Sequence, residues 1–99
     1  MSNDQSGPAT GSLVRTATVR NRLGMHARAA VKVVKLLEEF EAEMMVRNGD
    51  MTVSARSIMG LMMLAAVPGT TLELMASGRQ AAEVLAALVA LIERGFDEN

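Results

Sequence analysis

Residues 43–55 read EMMVRNGDMTVSA: two short runs, Glu43 to Arg47 and Met51 to Ala55, flank Asn48-Gly49-Asp50. An Asn-Gly pair between such runs is a strong hairpin signal, because the tight turn needs residues that accept a positive φ, so the two runs are expected to pair antiparallel. Upstream, Leu13, Arg15, Ala17 and Val19 alternate with Val14, Thr16, Thr18 and Arg20. This period of two over branched residues predicts a first strand, followed by a Gly-containing loop from Asn21 to Met25. From Ala27 to about Phe40 the apolar Ala30, Val33, Val34 and Leu37 fall at helical spacing and leave Lys32, Lys35, Glu38 and Glu39 to water, which predicts a first helix. Downstream, Ser57 is a good N-cap for a short helix to about Leu64, and Val67-Pro68-Gly69 ends it in a turn. Thr70 to Ala76 reads as a fourth strand. Ser77-Gly78 then leads into a last helix, in which Ala81, Leu85, Leu88 and Ile92 share a face and Arg94-Gly95 give the stop signal. The order βαββαβα places the chain in the α+β class. With helices enough for one side only, the expectation is a four-stranded antiparallel sheet with three helices on one face and water on the other.

Ninety-nine residues suit one domain, expected over residues 13–99. Residues 1–12, MSNDQSGPATGS, are polar and rich in Gly, Pro and Ser, and are expected to form a flexible tail. The N-terminus lacks the apolar stretch of a secretory signal, and the longest apolar run, Val84 to Ile92, is far short of the ~20 residues that span a bilayer. A cytoplasmic location without membrane insertion is the resulting expectation. Aromatic residues are only Phe40 and Phe96, and the formal charge is −1, so neither base stacking nor a global basic footprint favours nucleic acid. With no Cys and His26 as the single histidine, thiol catalysis, disulfides and multi-histidine metal centres are excluded, and no cofactor or metal is expected.

Charge is balanced overall but not along the chain. Between Leu13 and Leu37 lie six basic residues (Arg15, Arg20, Arg22, Arg28, Lys32, Lys35) and no acidic one. A basic stretch on a helix is often only a solvated face. Here it surrounds His26, at the junction of loop and helix, where the first backbone amides lack internal partners and the helix dipole is positive. Gly24 permits close backbone approach before it, and Arg28 offers a fork of donors suited to phosphate oxygens. A neutral imidazole can attack phosphorus without a general base, and the same helix end then holds the product. No carboxylate dyad, Ser/His/Asp set or Walker-type loop accompanies it.

Gly24-Met25-His26-Ala27-Arg28-Ala29-Ala30, followed after the hairpin by Ser57-Ile58-Met59-Gly60-Leu61-Met62, resembles the HPr family, the histidine-containing phosphocarriers of the bacterial phosphoenolpyruvate-dependent phosphotransferase system. The likeness runs from Leu13 nearly to the C-terminus and implies an open-faced β-sandwich. It further implies a monomeric phosphoryl carrier, not a stand-alone enzyme. In that role His26 accepts the group on Nδ1 from phospho-Enzyme I and passes it to enzyme IIA domains, with the amides of Ala27 and Arg28 and the Arg28 side chain around the phosphate. Partner contacts are expected from Ala27, Arg28, Lys35, Ser57, Ile58, Met59 and Met62, with Leu61 and Leu64 turned inward. Ser57 matches a serine that a dedicated HPr kinase/phosphorylase modifies in many relatives, and as an N-cap it has a sufficient structural role besides. Ala29 departs from the family's usual proline; alanine adopts the same helical conformation, so the phosphoacceptor assignment stands while the branch served, sugar uptake or a nitrogen-linked regulatory one, is left open. The alternatives are a regulatory domain of the same fold acting mainly by protein binding, which the pairing of His26 with Arg28 disfavours, and a ferredoxin-like binding module, which the charge, the few aromatics and the third helix disfavour.

Overall fold

The computed structural model describes residues 12–98. The expected tail, residues 1–12, falls outside that span except for Ser12. The elements run β1 (Leu13–Thr18), α1 (Ala27–Leu37), β2 (Glu43–Asn48), β3 (Met51–Ser54), α2 (Ile58–Met63), β4 (Thr71–Ser77) and α3 (Ala81–Glu93), then a short 3-10 turn at Gly95–Asp97 that the sequence reading did not include. The four strands form one sheet in the order β1-β4-β2-β3, every neighbour antiparallel. The hairpin reading holds: Asn48 pairs with Met51 across a two-residue turn.

Alternation decides which face the helices cover. In β4, Leu72, Leu74 and Ala76 are fully buried while Glu73 and Met75 stay partly in water, and in β2 Met44 and Val46 are buried between exposed Glu43, Met45 and Arg47. Onto this inner face pack Ala29, Ala30, Val33 and Leu37 of α1 and Val84, Leu85, Leu88 and Ile92 of α3, giving an aliphatic core closed by Phe96. Burial of each Val, Leu, Ile or Phe among them is worth about 1.5–3 kcal/mol, so a chain nearly free of aromatics stabilises itself by regular patterning.

Two boundaries differ from expectation by more than one residue. β1 ends at Thr18, although Val19 still donates to the Thr70 carbonyl and accepts from Gly69; of the four residues on its expected inner face, only Ala17 and Val19 are buried. Leu13 is 43% exposed, because the helices do not reach that end of the sheet. α1 closes at Leu37 and not near Phe40, since the amides of Glu39 and Phe40 turn to carbonyls three residues back and tighten the last turn.

Candidate functional site

His26 is the N-cap of α1. Its backbone is extended (φ −105°, ψ −178°), its carbonyl accepts the first helical bond from the Ala30 amide at 2.9 Å, and its Nδ1 accepts the Arg28 amide N–H at 3.2 Å. Nδ1 therefore carries a lone pair pointed at the start of the helix. The first-turn amides of Ala27, Arg28 and Ala29 have no carbonyl four residues back in the helix, and no acidic side chain occupies that turn, so the surroundings of Nδ1 favour an anion.

The other ring nitrogen faces a carboxylate. Nε2 lies 2.7 Å from Glu98 Oε2, and Glu98 Oε1 accepts from Asn21 Nδ2 at 3.0 Å; the same Asn21 amide donates to the Gly24 carbonyl at 2.8 Å. Asn21 is only 3% exposed, so this strut lies within the protein. The chain reaches His26 by turning left-handed after α3, with φ of +76° at Gly95, +55° at Phe96 and +60° at Asp97. Buried Phe96 anchors that turn, and Lys32 Nζ donates to its carbonyl. Burial pushes the Glu98 carboxyl up, but hydrogen bonds from Asn21 and His26 and the charges of His26 and Lys32 outweigh it and hold the group below the ordinary carboxylate range. Since a nitrogen that accepts an N–H cannot bear a proton, the neutral ring carries its proton on Nε2, toward Glu98.

A histidine so arranged presents one basic nitrogen to an incoming electrophile and keeps its proton on the far side. The family model described as "PTS HPr component phosphorylation site" matches residues 13–94. The chain belongs to the HPr family. It is 43% identical over 86 residues to phosphocarrier protein NPr of Klebsiella oxytoca, covering 86% of this chain and 96% of that one. It is 48% identical over 83 residues to phosphocarrier protein HPr of Pseudomonas aeruginosa, covering 83% and 92%. The solved HPr of Thermoanaerobacter tengcongensis superimposes with a TM-score of 0.82 at 36% identity, covering 88% of this chain and 98% of that structure. The one-sided antiparallel sheet expected from the pattern is thus the open-faced HPr fold that the resemblance implied, and the chain is an HPr-type phosphocarrier of the phosphotransferase system.

Within this HPr fold the other expected residues are distributed as follows. Ala27 and Arg28 are exposed beside His26, and the Arg28 guanidinium pairs with no carboxylate among the described residues. An open cleft of about 520 Å³ adjoins them, lined by Arg22, Leu23, Arg28, Lys32, Asp97 and Glu98. Lys35 is exposed too, but it stands nine residues along α1, about 13 Å from the cap at the helical rise. Ser57 caps α2, its Oγ accepting the Gly60 amide at 2.9 Å, and Ile58, Met59 and Met62 are exposed while Leu61 and Leu64 are buried. The loop before His26 is tied to the exit of α2 by the Met25 amide, which donates to the Ala66 carbonyl at 2.9 Å. α1 and α2 also pack together.

Sequence reasoning missed Glu98 and Asn21. The signal within reach was Gly95-Phe96 just after the helix stop, a turn residue followed by a large apolar one, which marks a tail that folds back.

Proposed function

We propose that His26 accepts a phosphoryl group on Nδ1 from phospho-Enzyme I and hands it to enzyme IIA domains, as a cytoplasmic carrier. The observation that carries this reading is the pair of opposite contacts on one imidazole: Nδ1 unprotonated and accepting the Arg28 amide at the start of α1, an N–H that turns to a phosphoryl oxygen as Nδ1 attacks, and Nε2 on the Glu98 carboxylate. In the transfer the Nδ1 lone pair forms the new N–P bond as the donor's N–P bond breaks, and the donor ring leaves with the bonding electrons. The ring proton stays on Nε2. Negative charge on the equatorial oxygens is met by the Ala27 and Arg28 amides and the Arg28 guanidinium, while positive charge growing on the ring is met by Glu98. All of these groups come from one chain, which suits a carrier working as a monomer. Incubated with phosphoenolpyruvate and Enzyme I, the protein is expected to gain one acid-labile, base-stable phosphate; a protein that gains none refutes the reading.

Glu98→Gln tests the second contact. A glutamine offers one acceptor oxygen where Asn21 and His26 supply two donors, so one N–H is left facing another, and the charge is lost. Phosphate acceptance is expected to slow about 10–100-fold, the equivalent of a charged hydrogen bond of about 1.5–3 kcal/mol. Stability should change its pH dependence as well. A depressed carboxyl contributes fully above its unfolded value, about 4.3, and that contribution fades as pH falls through the lower folded value. Denaturation of the variant between pH 5 and about 3 should therefore be less acid-sensitive; an unchanged acid limb counts against the strut.

Partner docking on this reading uses Ala27, Arg28, Lys35 and the outward face of α2, basic groups for acidic partners and adaptable side chains for more than one of them. Ser57 within that face is the site for regulatory phosphorylation by an HPr kinase/phosphorylase. A phosphate there would keep its helix cap and yet place negative charge on a docking surface made for acidic partners. Ser57→Ala is expected to lose kinase-dependent labelling altogether, and equal labelling of both proteins rejects the assignment. The NPr relatives favour service in a nitrogen-linked branch.

A further inference from the structure

The chain has nine methionines and no Cys, Trp or Tyr, so thioethers are its principal targets for two-electron oxidants. Met45 and Met51 in the sheet are each 40% exposed, but the most exposed sulfurs gather on one helix. Met59 and Met63 of α2 are 73% and 61% exposed and Met62 between them 45%, whereas Met44 in the sheet is 1% and Met25, next to His26, 6%. The two most exposed methionines among the described residues thus sit within five positions of each other. Their helix is joined to the His26 loop through the Met25–Ala66 hydrogen bond. Leu61 and Leu64 anchor α2 from its inner side, so its outer side chains change without disturbing the core.

We propose that Met59 and Met63, with Met62, form an oxidation-sensitive modification site that lowers partner docking when a peroxide converts them to sulfoxides. The reading rests on α2 being a docking face of the carrier. In the chemical step a sulfur lone pair attacks one peroxide oxygen, the S–O bond forms as the O–O bond breaks, and the proton passes to the departing hydroxide to give water. Sulfur is oxidised by two electrons and peroxide is reduced by two. The product exchanges a flexible apolar thioether for a polar, chiral group that is costly to bury against an apolar partner surface without a donor. Because methionine sulfoxide reductases reverse the step, the site acts as a switch and not as a lesion.

The test treats the full chain with hydrogen peroxide and maps mass increments by peptide. Met59 and Met63 are expected to oxidise first, Met62, Met45 and Met51 next, and Met44 and Met25 last, and a rate loss that follows Met45 or Met51 instead of α2 also overturns the proposal. With phosphoenolpyruvate and Enzyme I, the oxidised protein should show kcat/KM for phosphate acceptance lowered about 5–10-fold with kcat nearly unchanged, and reductase treatment should restore it. The thermal midpoint should move by no more than about 2 °C, since no core group is altered. In a Met59→Leu, Met62→Leu, Met63→Leu variant, compared only with itself before and after peroxide, the ratio of rates should stay near one. Sulfoxides at 59 and 63 with an unchanged rate, or a rate loss that tracks oxidation at Met44, overturn the proposal and leave the carrier reading intact. A fully reduced protein that accepts no phosphate at all defeats the carrier reading and the switch with it.

Discussion

His26→Asn is expected to accept no measurable phosphate from phospho-Enzyme I, a loss of more than about 10³-fold, while the protein stays folded. Asparagine is among the best N-cap residues, so its side-chain oxygen can take over the Arg28 amide now held by Nδ1, but it has no ring nitrogen for phosphorus. His26→Ala should be equally inactive and less stable. It loses the cap, about 1 kcal/mol, and leaves the Glu98 carboxylate with Asn21 as its remaining side-chain partner. The two variants together separate loss of the acceptor from loss of the fold: both lose the Glu98 contact and only Asn keeps the cap, so circular dichroism and urea melts should place Asn between wild type and Ala, with neither labelled. Labelling of the Asn variant at the wild-type rate would move the acceptor elsewhere.

The largest loss of stability is expected from Gly24→Ala. Gly24 has φ +69°, and a Cβ built on it would lie 2.2 Å from the Ala66 carbonyl oxygen, the same oxygen that accepts the Met25 amide. A backbone atom cannot swing aside as a flexible side chain can, so the loop and the α2 exit must separate, and the Met25–Ala66 bond goes with them. Left-handed strain, the clash and the lost bond sum to about 2–4 kcal/mol, or a fall of roughly 10–30 °C in Tm. Gly49→Ala is the control: its φ is +63° but nothing lies within 4 Å of the added carbon, so strain alone remains, about 1 kcal/mol. Equal losses in the two variants would mean that the Ala66 contact does not hold the loop. Because the Gly24 carbonyl also takes bonds from Asn21 Nδ2 and the His26 amide, Gly24→Ala should slow phosphate acceptance even in its folded fraction.

Strand periodicity, the Asn-Gly turn and the Ser57 cap are properties of neighbouring residues, and each was legible in the sequence. So was the placing of His26, since a cap is a local event and the basic segment around it is contiguous. The inward choice of Leu61 and Leu64 came from the family resemblance, and both are buried. What escaped was produced by contacts across the chain: Glu98 meets His26 over 72 positions, and Gly24 meets Ala66 through backbone atoms that carry no residue signature. β1 misled for a related reason. Its alternation continues through Leu13 and Arg15, but burial needs a helix overhead, and the lengths of α1 and α3 decide where cover ends.

The strand order also governs when the protein can finish folding. β2 and β3 can close as a local hairpin, yet among the described residues β1 pairs only with β4, Leu13 opposite Ala76, about 60 residues later in the chain. On a ribosome adding about 5–20 residues per second, the first strand made waits several seconds for β4. Until then its backbone groups are open to whatever else is nearby.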